Sequence, residues 1–392
     1  MPSVPAPAPG AAPVLDPGVT DGAARAPGTA DDARPSRTTP AFIARWDLDK
    51  TYLRTDFDTV RDLVRTAIER PDQKRTVPGA AALLRELGRV GAEIHILSGS
   101  PEQLRSRLEQ KLRLDGARWA SLTLKPNLEN ILRLRFRALR GQLGYKLPAL
   151  LRRRAELVRQ RDDEGVLLRE VLLGDDAEAD AFVYSLFGDI CAGVVQPAEL
   201  AEIMRRGGAY EDTIQDAVRF AGYVEKGEVV ERILIHLDRQ SSPADFRLFG
   251  PRVVPFYNYL QAAFVLHEDG RIPARSVLRV AQDLAFSHNF DGSSLARSYL
   301  DLSRRGHVTG KGIDDLATAY GDIARTRGAG ASEIGEVIRE LETMRAQLAP
   351  RPTAKRRRST TRRWRRGTTS GSRSRQGGWA EARPVEGSRR WC

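Results

Sequence analysis

Ala41-Phe42-Ile43-Ala44-Arg45-Trp46-Asp47-Leu48-Asp49-Lys50-Thr51 decides the fold. Ala41–Trp46 is a short, mostly apolar run that stops at an acid. A run of that length with no solvent-facing alternation reads as a strand buried on both faces of a parallel sheet. A second run, Val166–Leu173, also reads as a strand and ends in Gly174-Asp175-Asp176-Ala177-Glu178-Ala179-Asp180. Acids that follow buried strands are not ordinary solvated loop charge. In an open parallel sheet they meet at the carboxyl edge, where ligands bind and a divalent cation can reconcile them.

The chain between and beyond these runs alternates. Glu93–Leu97 reads as a strand that stops at Ser98-Gly99-Ser100-Pro101, and Trp119–Leu124, Ile190–Val195 and Val229–Leu237 read as further strands. Helical patterns cover Thr59–Ile68, Ala80–Gly88 after Pro78-Gly79, Glu102–Leu112, Leu128–Leu139, Leu147–Arg161, Ala179–Phe187, Ala198–Arg205 and Asp212–Ala221. Strands alternating with helices predict an α/β fold with a doubly wound parallel sheet. From Pro255 to Leu348 the pattern is almost wholly helical. The expected organisation is a Pro/Ala-rich disordered tail (1–40), an α/β domain (41–254), a helical region (255–350) and an Arg-rich disordered tail (351–392).

Charge locates the same boundary. The 392 residues carry 63 Lys+Arg and 51 Asp+Glu, a net +12. Residues 351–392 hold 14 of the bases and 2 of the acids, which leaves 49 of each in residues 1–350. The basicity therefore belongs to the tail. Three readings of the tail stand at the level of sequence: contact with nucleic acid, attraction to anionic lipid at ~1 kcal/mol per basic residue, or no function. It holds no folded nucleic-acid recognition module, which counts against the first. Two cysteines, Cys191 and Cys392, are too few for a disulfide framework and fit a reducing cytoplasm. No apolar run reaches the ~18–20 residues of a spanning helix. No secretory signal pattern opens the chain. A lipid substrate would be met peripherally, at a membrane surface.

Each group at the predicted sheet edge has chemistry available. Asp47 can attack phosphorus. Asp49, two residues on, can protonate a leaving oxygen and later deprotonate water. Ser98 and the neighbouring Gly99 amide can meet phosphoryl oxygens. Lys146 offsets the acids and the transferring group. Asp175 suits Mg²⁺, a hard ion that prefers oxygen ligands. Lys111 and Lys125 compete with Lys146 for its role, and the Lys146 position at a predicted helix start favours it. His236 and Asp238 end a strand and read as structural. His267 reads as a helix end with Gly270 as its cap.

In this order the motifs resemble the haloacid-dehalogenase-like hydrolases, and within them the actin-patch-type phosphatidate phosphatase catalytic domain. The matching residues are Asp47-Leu48-Asp49-Lys50-Thr51 with Thr55, Ser98-Gly99-Ser100-Pro101, Tyr145-Lys146, and Gly174-Asp175-Asp176-Ala177-Glu178-Ala179-Asp180 with Tyr184. The resemblance covers residues 42–195. It implies an Mg²⁺-dependent phosphatase working through an aspartyl-phosphate. Asp47 would be the nucleophile, Asp49 the general acid/base and Lys146 the charge stabiliser. Ser98, Gly99 and Thr51 would bind phosphate. Asp47, the Asp49 carbonyl, Asp175 and Asp180 would hold the metal. Lys50 and Asp176 depart from the pattern, standing where the family usually has Asp and Ser. Phosphatidate, a phosphoprotein and a phosphorylated metabolite all remain open as substrates. A binding or regulatory protein on the same fold is the reading outside enzymes.

Overall fold

The computed structural model describes residues 40–54, 75–125, 138–157, 160–327 and 332–345. Residues 1–39 of the first predicted tail, the whole of the second, Thr55, the predicted helix Thr59–Ile68 and most of the predicted helix Leu128–Leu139 lie outside the described residues. All the described residues belong to one compact unit.

The sheet has six parallel strands: β1 (Ile43–Asp47), β2 (Glu93–Pro101), β3 (Ser121–Lys125), β4 (Glu170–Asp175), β5 (Val230–His236) and β6 (Val253–Phe256), in the order β3-β2-β1-β4-β5-β6. The chain starts in the middle, winds outward to β3, then returns to the far side of β1 and winds outward again. β1 and β4 are therefore neighbours at the topological switch point, where an α/β sheet opens a crevice beyond its carboxyl ends. Their last residues are Asp47 and Asp175.

Helices cover both faces, as the doubly wound expectation requires. Side chains alternate along each strand. Trp46, Val171, Leu173, Leu234 and Val254 face one apolar core, and Leu172, Ile233, Ile235 and Val253 face the other. The first core is filled by α1 (Ala80–Arg89) and α2 (Arg105–Leu114), and by the later helices α7 (Tyr259–Glu268), α8 (Ala274–His288), α9 (Gly292–Arg304), α10 (Lys311–Arg327) and α11 (Ser332–Met344). The second is filled by α3 (Ala138–Ala155), α4 (Asp180–Cys191), α5 (Pro197–Arg206) and α6 (Glu211–Tyr223). The predicted helical region thus packs, together with α1 and α2, on one face of the sheet. It meets α1 closely at Gly79, which enters that helix at φ 80°, where a Cβ would lie 2.9 Å from Tyr259 Cβ. A side chain at Gly79 is excluded twice, by conformation and by space.

Three elements differ from their sequence reading. Ile190 and Cys191 end α4 rather than beginning a strand, and the chain then turns through residues 192–195. α4 is buried on nearly every side, so its residues show no polar face and its tail mimics a buried strand. β6 is a four-residue strand whose apolar run merges in sequence with α7; its last two residues read into the helical region and its first two carried no predicted element. The helix that carries Lys146 begins at Ala138 and not at Tyr145-Lys146; it accommodates Pro148 in its interior.

At the opposite end of the sheet from the acids, Glu170 is fully buried between two arginines. Arg45 Nε and Nη2 donate to it at 2.5 and 3.0 Å, and Arg154 Nη1 donates at 2.9 Å. Burial alone would raise the Glu170 pKa, but the two guanidiniums hold it below its usual 4.5. This ion triad ties β1, β4 and α3 together.

Candidate active site

The loop after β1 is short and tightly bonded. The Leu48 amide donates to Leu97 O at 3.1 Å, and the amides of Tyr52 and Leu53 return to Leu48 O at 3.0 and 2.8 Å. Lys50 lies inside this turn with φ 59°, a left-handed conformation that costs a residue other than glycine ~1–2 kcal/mol. Two side chains from later in the chain hold the turn. His236 Nδ1 lies 3.1 Å from Lys50 O, and Tyr259 Oη donates to Thr51 O. With Lys50 O as its partner, Nδ1 is the donor, and burial keeps the imidazole pKa below its usual value.

The loop after β4 is built around its acids. Asp175 Oδ1 accepts from the amides of Ala177 and Glu178 at 2.6 and 3.0 Å, which turns the chain into α4. Asp180, the first residue of that helix, reaches back: its Oδ2 accepts from the Asp175 amide at 3.2 Å. Gly174 makes this approach available. A Cβ there would sit 2.4 Å from Asp180 Oδ2 and 2.7 Å from Asp180 Cβ.

Asp47, Asp175 and Asp180 consequently converge, each offering a buried carboxylate oxygen, all within 4.8 Å of one another. Lys146 enters from α3. Its Nζ lies 2.5 Å from Asp180 Oδ1, 2.8 Å from Glu178 Oε2 and 2.9 Å from Asp47 Oδ1. The ammonium is thus paired with three carboxylates at once. The acids still outnumber the cation. Burial drives Asp47 and Asp175 well above the ordinary carboxylate range, and Asp180 rises for the same reason; Lys146 opposes each shift. Burial works against the charged form of Lys146 too, but Asp180, Asp47 and Glu178 outweigh it and hold the ammonium well above its usual pKa. Asp175 Oδ2 is buried with no hydrogen-bond partner. Three buried carboxylates, Asp47 and Asp175 each with an oxygen that makes no hydrogen bond, could together hold a metal ion.

Asp49 faces the next strand. Ser98 Oγ donates to Asp49 Oδ2 at 2.8 Å, with Ser100 Oγ at 3.3 Å, while Ser98 Oγ accepts from the Ser100 amide at 3.0 Å. Burial raises the Asp49 pKa against these two hydroxyls. Thr51 is fully buried, and its Oγ1 approaches Asp47 Oδ2 at 3.4 Å. Gly99 is open toward Lys125, with 3.8 Å from a built Cβ to Nζ. The sequence-predicted residues Asp47, Asp49, Thr51, Ser98, Gly99, Lys146, Asp175 and Asp180 thus gather at one sheet edge. Lys111 does not; its Nζ donates to Asp115 at 2.7 Å.

Four residues matter more than sequence reading indicated. Glu178, named from sequence only as part of the acidic cluster, is a partner of Lys146. Asp176 gives its amide to His236 O and accepts from the amides of Arg239 and Ser241 at 2.8 and 3.0 Å, so it ties the loop after β5 to the site. An Asp accepts both with its two oxygens, which one serine hydroxyl does less well. His236 and Tyr259 hold the Lys50–Thr51 turn from 186 and 208 residues away. No local motif announces such partners. Tyr259→Phe keeps the ring, which stacks on Trp46 at 5.7 Å, and removes only the hydroxyl. The expected loss is about 1 kcal/mol in urea unfolding.

No family model and no curated protein matches the chain. Among solved structures it is similar to a chain of the "Structure of Pnkp1/Rnl/Hen1 complex", with 16% identity over 38% of this chain and 44% of that one, at a TM-score of 0.25. Likeness at that level carries no argument about function. Among the described residues no helix is long and apolar enough to cross a membrane.

Proposed function

We propose that this chain is an Mg²⁺-dependent phosphomonoester hydrolase of the haloacid-dehalogenase-like kind, acting in the cytoplasm or peripherally at a membrane. One observation carries the reading: Asp47, Asp175, Asp180 and Lys146 converge at the switch point of the sheet, with Asp49 two residues beyond Asp47. The motif order, DxDxT then Ser, Lys and an acidic cluster, supports it.

Asp47, Asp175 and Asp180 would hold the ion through carboxylate oxygens, joined by the Asp49 carbonyl. Bound there, Mg²⁺ neutralises the clustered acids and the phosphoryl charge. The Asp47 carboxylate attacks phosphorus, and the bond from phosphorus to the ester oxygen breaks. The leaving oxygen takes the Asp49 proton. Burial suits Asp49 to this step, because it raises the pKa of a carboxyl that must hold a proton in the ground state. Asp49, now a carboxylate, takes a proton from the water that attacks the aspartyl-phosphate. Phosphate departs and the Asp47 carboxylate returns. Ser98 and Ser100 orient Asp49 throughout.

Hydrolysis of p-nitrophenyl phosphate with Mg²⁺, then with excess chelator, tests the class. Turnover that chelation abolishes and Mg²⁺ restores is expected; no turnover, or turnover indifferent to metal, sinks the reading. Phosphatidate in mixed micelles, compared with soluble phosphomonoesters, then separates the substrate classes.

A further inference from the structure

We propose that Lys125, at the carboxyl end of β3, is the cation that grips the phosphoryl group of the substrate, while Lys146 organises the carboxylates. The assignment rests on the phosphatase reading and sharpens it. A dianionic phosphoryl group needs donors not already committed within the protein, and two sequence-predicted groups are committed. Lys146 forms ion pairs with Asp47, Glu178 and Asp180. The Ser98 hydroxyl gives its one proton to Asp49.

Lys125 is differently placed. It is partly buried and forms no ion pair among the described residues. Burial lowers its pKa, and Glu178, Asp49 and Asp47 pull the other way from a distance. Its Nζ lies beside Gly99, at the 3.8 Å where a Cβ would touch it, and the same built Cβ is 4.0 Å from Asp49 Oδ2. The ammonium and the general acid therefore both border the space that a side chain at Gly99 would fill.

The side chain is also held in place. Nζ lies 5.3 Å from the Tyr145 ring centroid, in cation–π range. That ring is fixed in turn, because Tyr145 Oη reaches Ser98 O at 2.9 Å and Thr123 O at 3.2 Å. Strand β3, the ring and the Ser98-Gly99 turn present one preorganised ammonium to the mouth. Absence of a side chain at Gly99 lets a phosphoryl oxygen come close. A partly buried cation with no ion pair among the described residues gains an anion when substrate binds, and that gain favours dianionic monoesters over neutral or singly charged esters.

The test compares wild type, Lys125→Met, Lys125→Arg and Asp47→Asn in the full chain. The readouts are KM and kcat for p-nitrophenyl phosphate, the inhibition constant of inorganic phosphate, and melting temperature. Lys125→Met is expected to raise KM and the phosphate inhibition constant together by ~10-fold or more, with kcat changed less and melting unchanged. Lys125→Arg is expected to recover much of the loss. A merely structural lysine would move melting and leave phosphate inhibition alone. Wild type active, Asp47→Asn dead, and Lys125→Met with unaltered KM and phosphate inhibition overturns the role of Lys125 alone. A wild type that neither hydrolyses the ester nor binds phosphate overturns the phosphatase reading and Lys125 with it.

Discussion

Asp47→Asn is expected to lower Mg²⁺-dependent hydrolysis of p-nitrophenyl phosphate by about three orders of magnitude or more, roughly 4 kcal/mol of barrier. The substitution is nearly isosteric. It removes the anionic oxygen that would attack phosphorus and leaves an amide, which does not form the covalent intermediate. It also takes one negative charge from a crowded buried cluster, and Lys146 keeps Glu178 and Asp180 as partners. Burial already disfavours the charged form of Asp47, so the folded state should hold or gain stability. The measurement is paired: steady-state rate and melting temperature on the same preparation. A folded variant that keeps most of its rate rules Asp47 out as the nucleophile.

Glu170→Ala is expected to cost about 3–5 kcal/mol of folding stability, the scale for leaving a buried charge without its partner. Two guanidiniums are stranded at once, since Arg45 is 2% and Arg154 0% exposed. Against a total of ~5–15 kcal/mol for an ordinary domain, this removes much of the margin. Urea unfolding measures it. Acidity provides a second check. The folded-state pKa of Glu170 lies below its usual 4.5. Its contribution is present above 4.5 and is lost as pH falls through the folded value. Wild type should therefore lose stability on acidification that the variant has already lost. A variant as stable as wild type would show that the triad contributes no net stability.

Much of the site was legible because buried strands and their ends write themselves locally. β1, β4 and β5 end at Asp47, Asp175 and His236, the apolar run of β2 gives way at Ser98 although the strand continues to Pro101, and a parallel sheet gathers such ends on one edge. Lys146 was assignable by order, although the start of its helix was not, since Gly141, Gly144 and Pro148 obscure the pattern of α3. The misreadings share a cause. α4 and α7 are buried on nearly every side, so neither shows a helical period, and the strand-like tail of one and the short strand before the other were misjudged. Long-range supports were not legible at all. Tyr259 and His236 act on the turn at Lys50–Thr51 only because the sheet and a distant helix bring them there. The resting partner of Ser98 is likewise a property of the folded state: the hydroxyl that a motif assigns to phosphate is given to Asp49.

The stacking of Trp46 on Tyr259 has an optical consequence. The indole precedes Asp47 directly, is almost wholly buried, lies at 17° to the Tyr259 ring and meets Tyr52 edge-on at 6.2 Å. A native fluorophore thus stands one peptide bond from the carboxylate that would react. Its ring partner grips the turn two residues past the second acid. Any rearrangement of that turn alters the electronic surroundings of the indole, so events at the sheet edge are written into the protein's own emission without an attached dye.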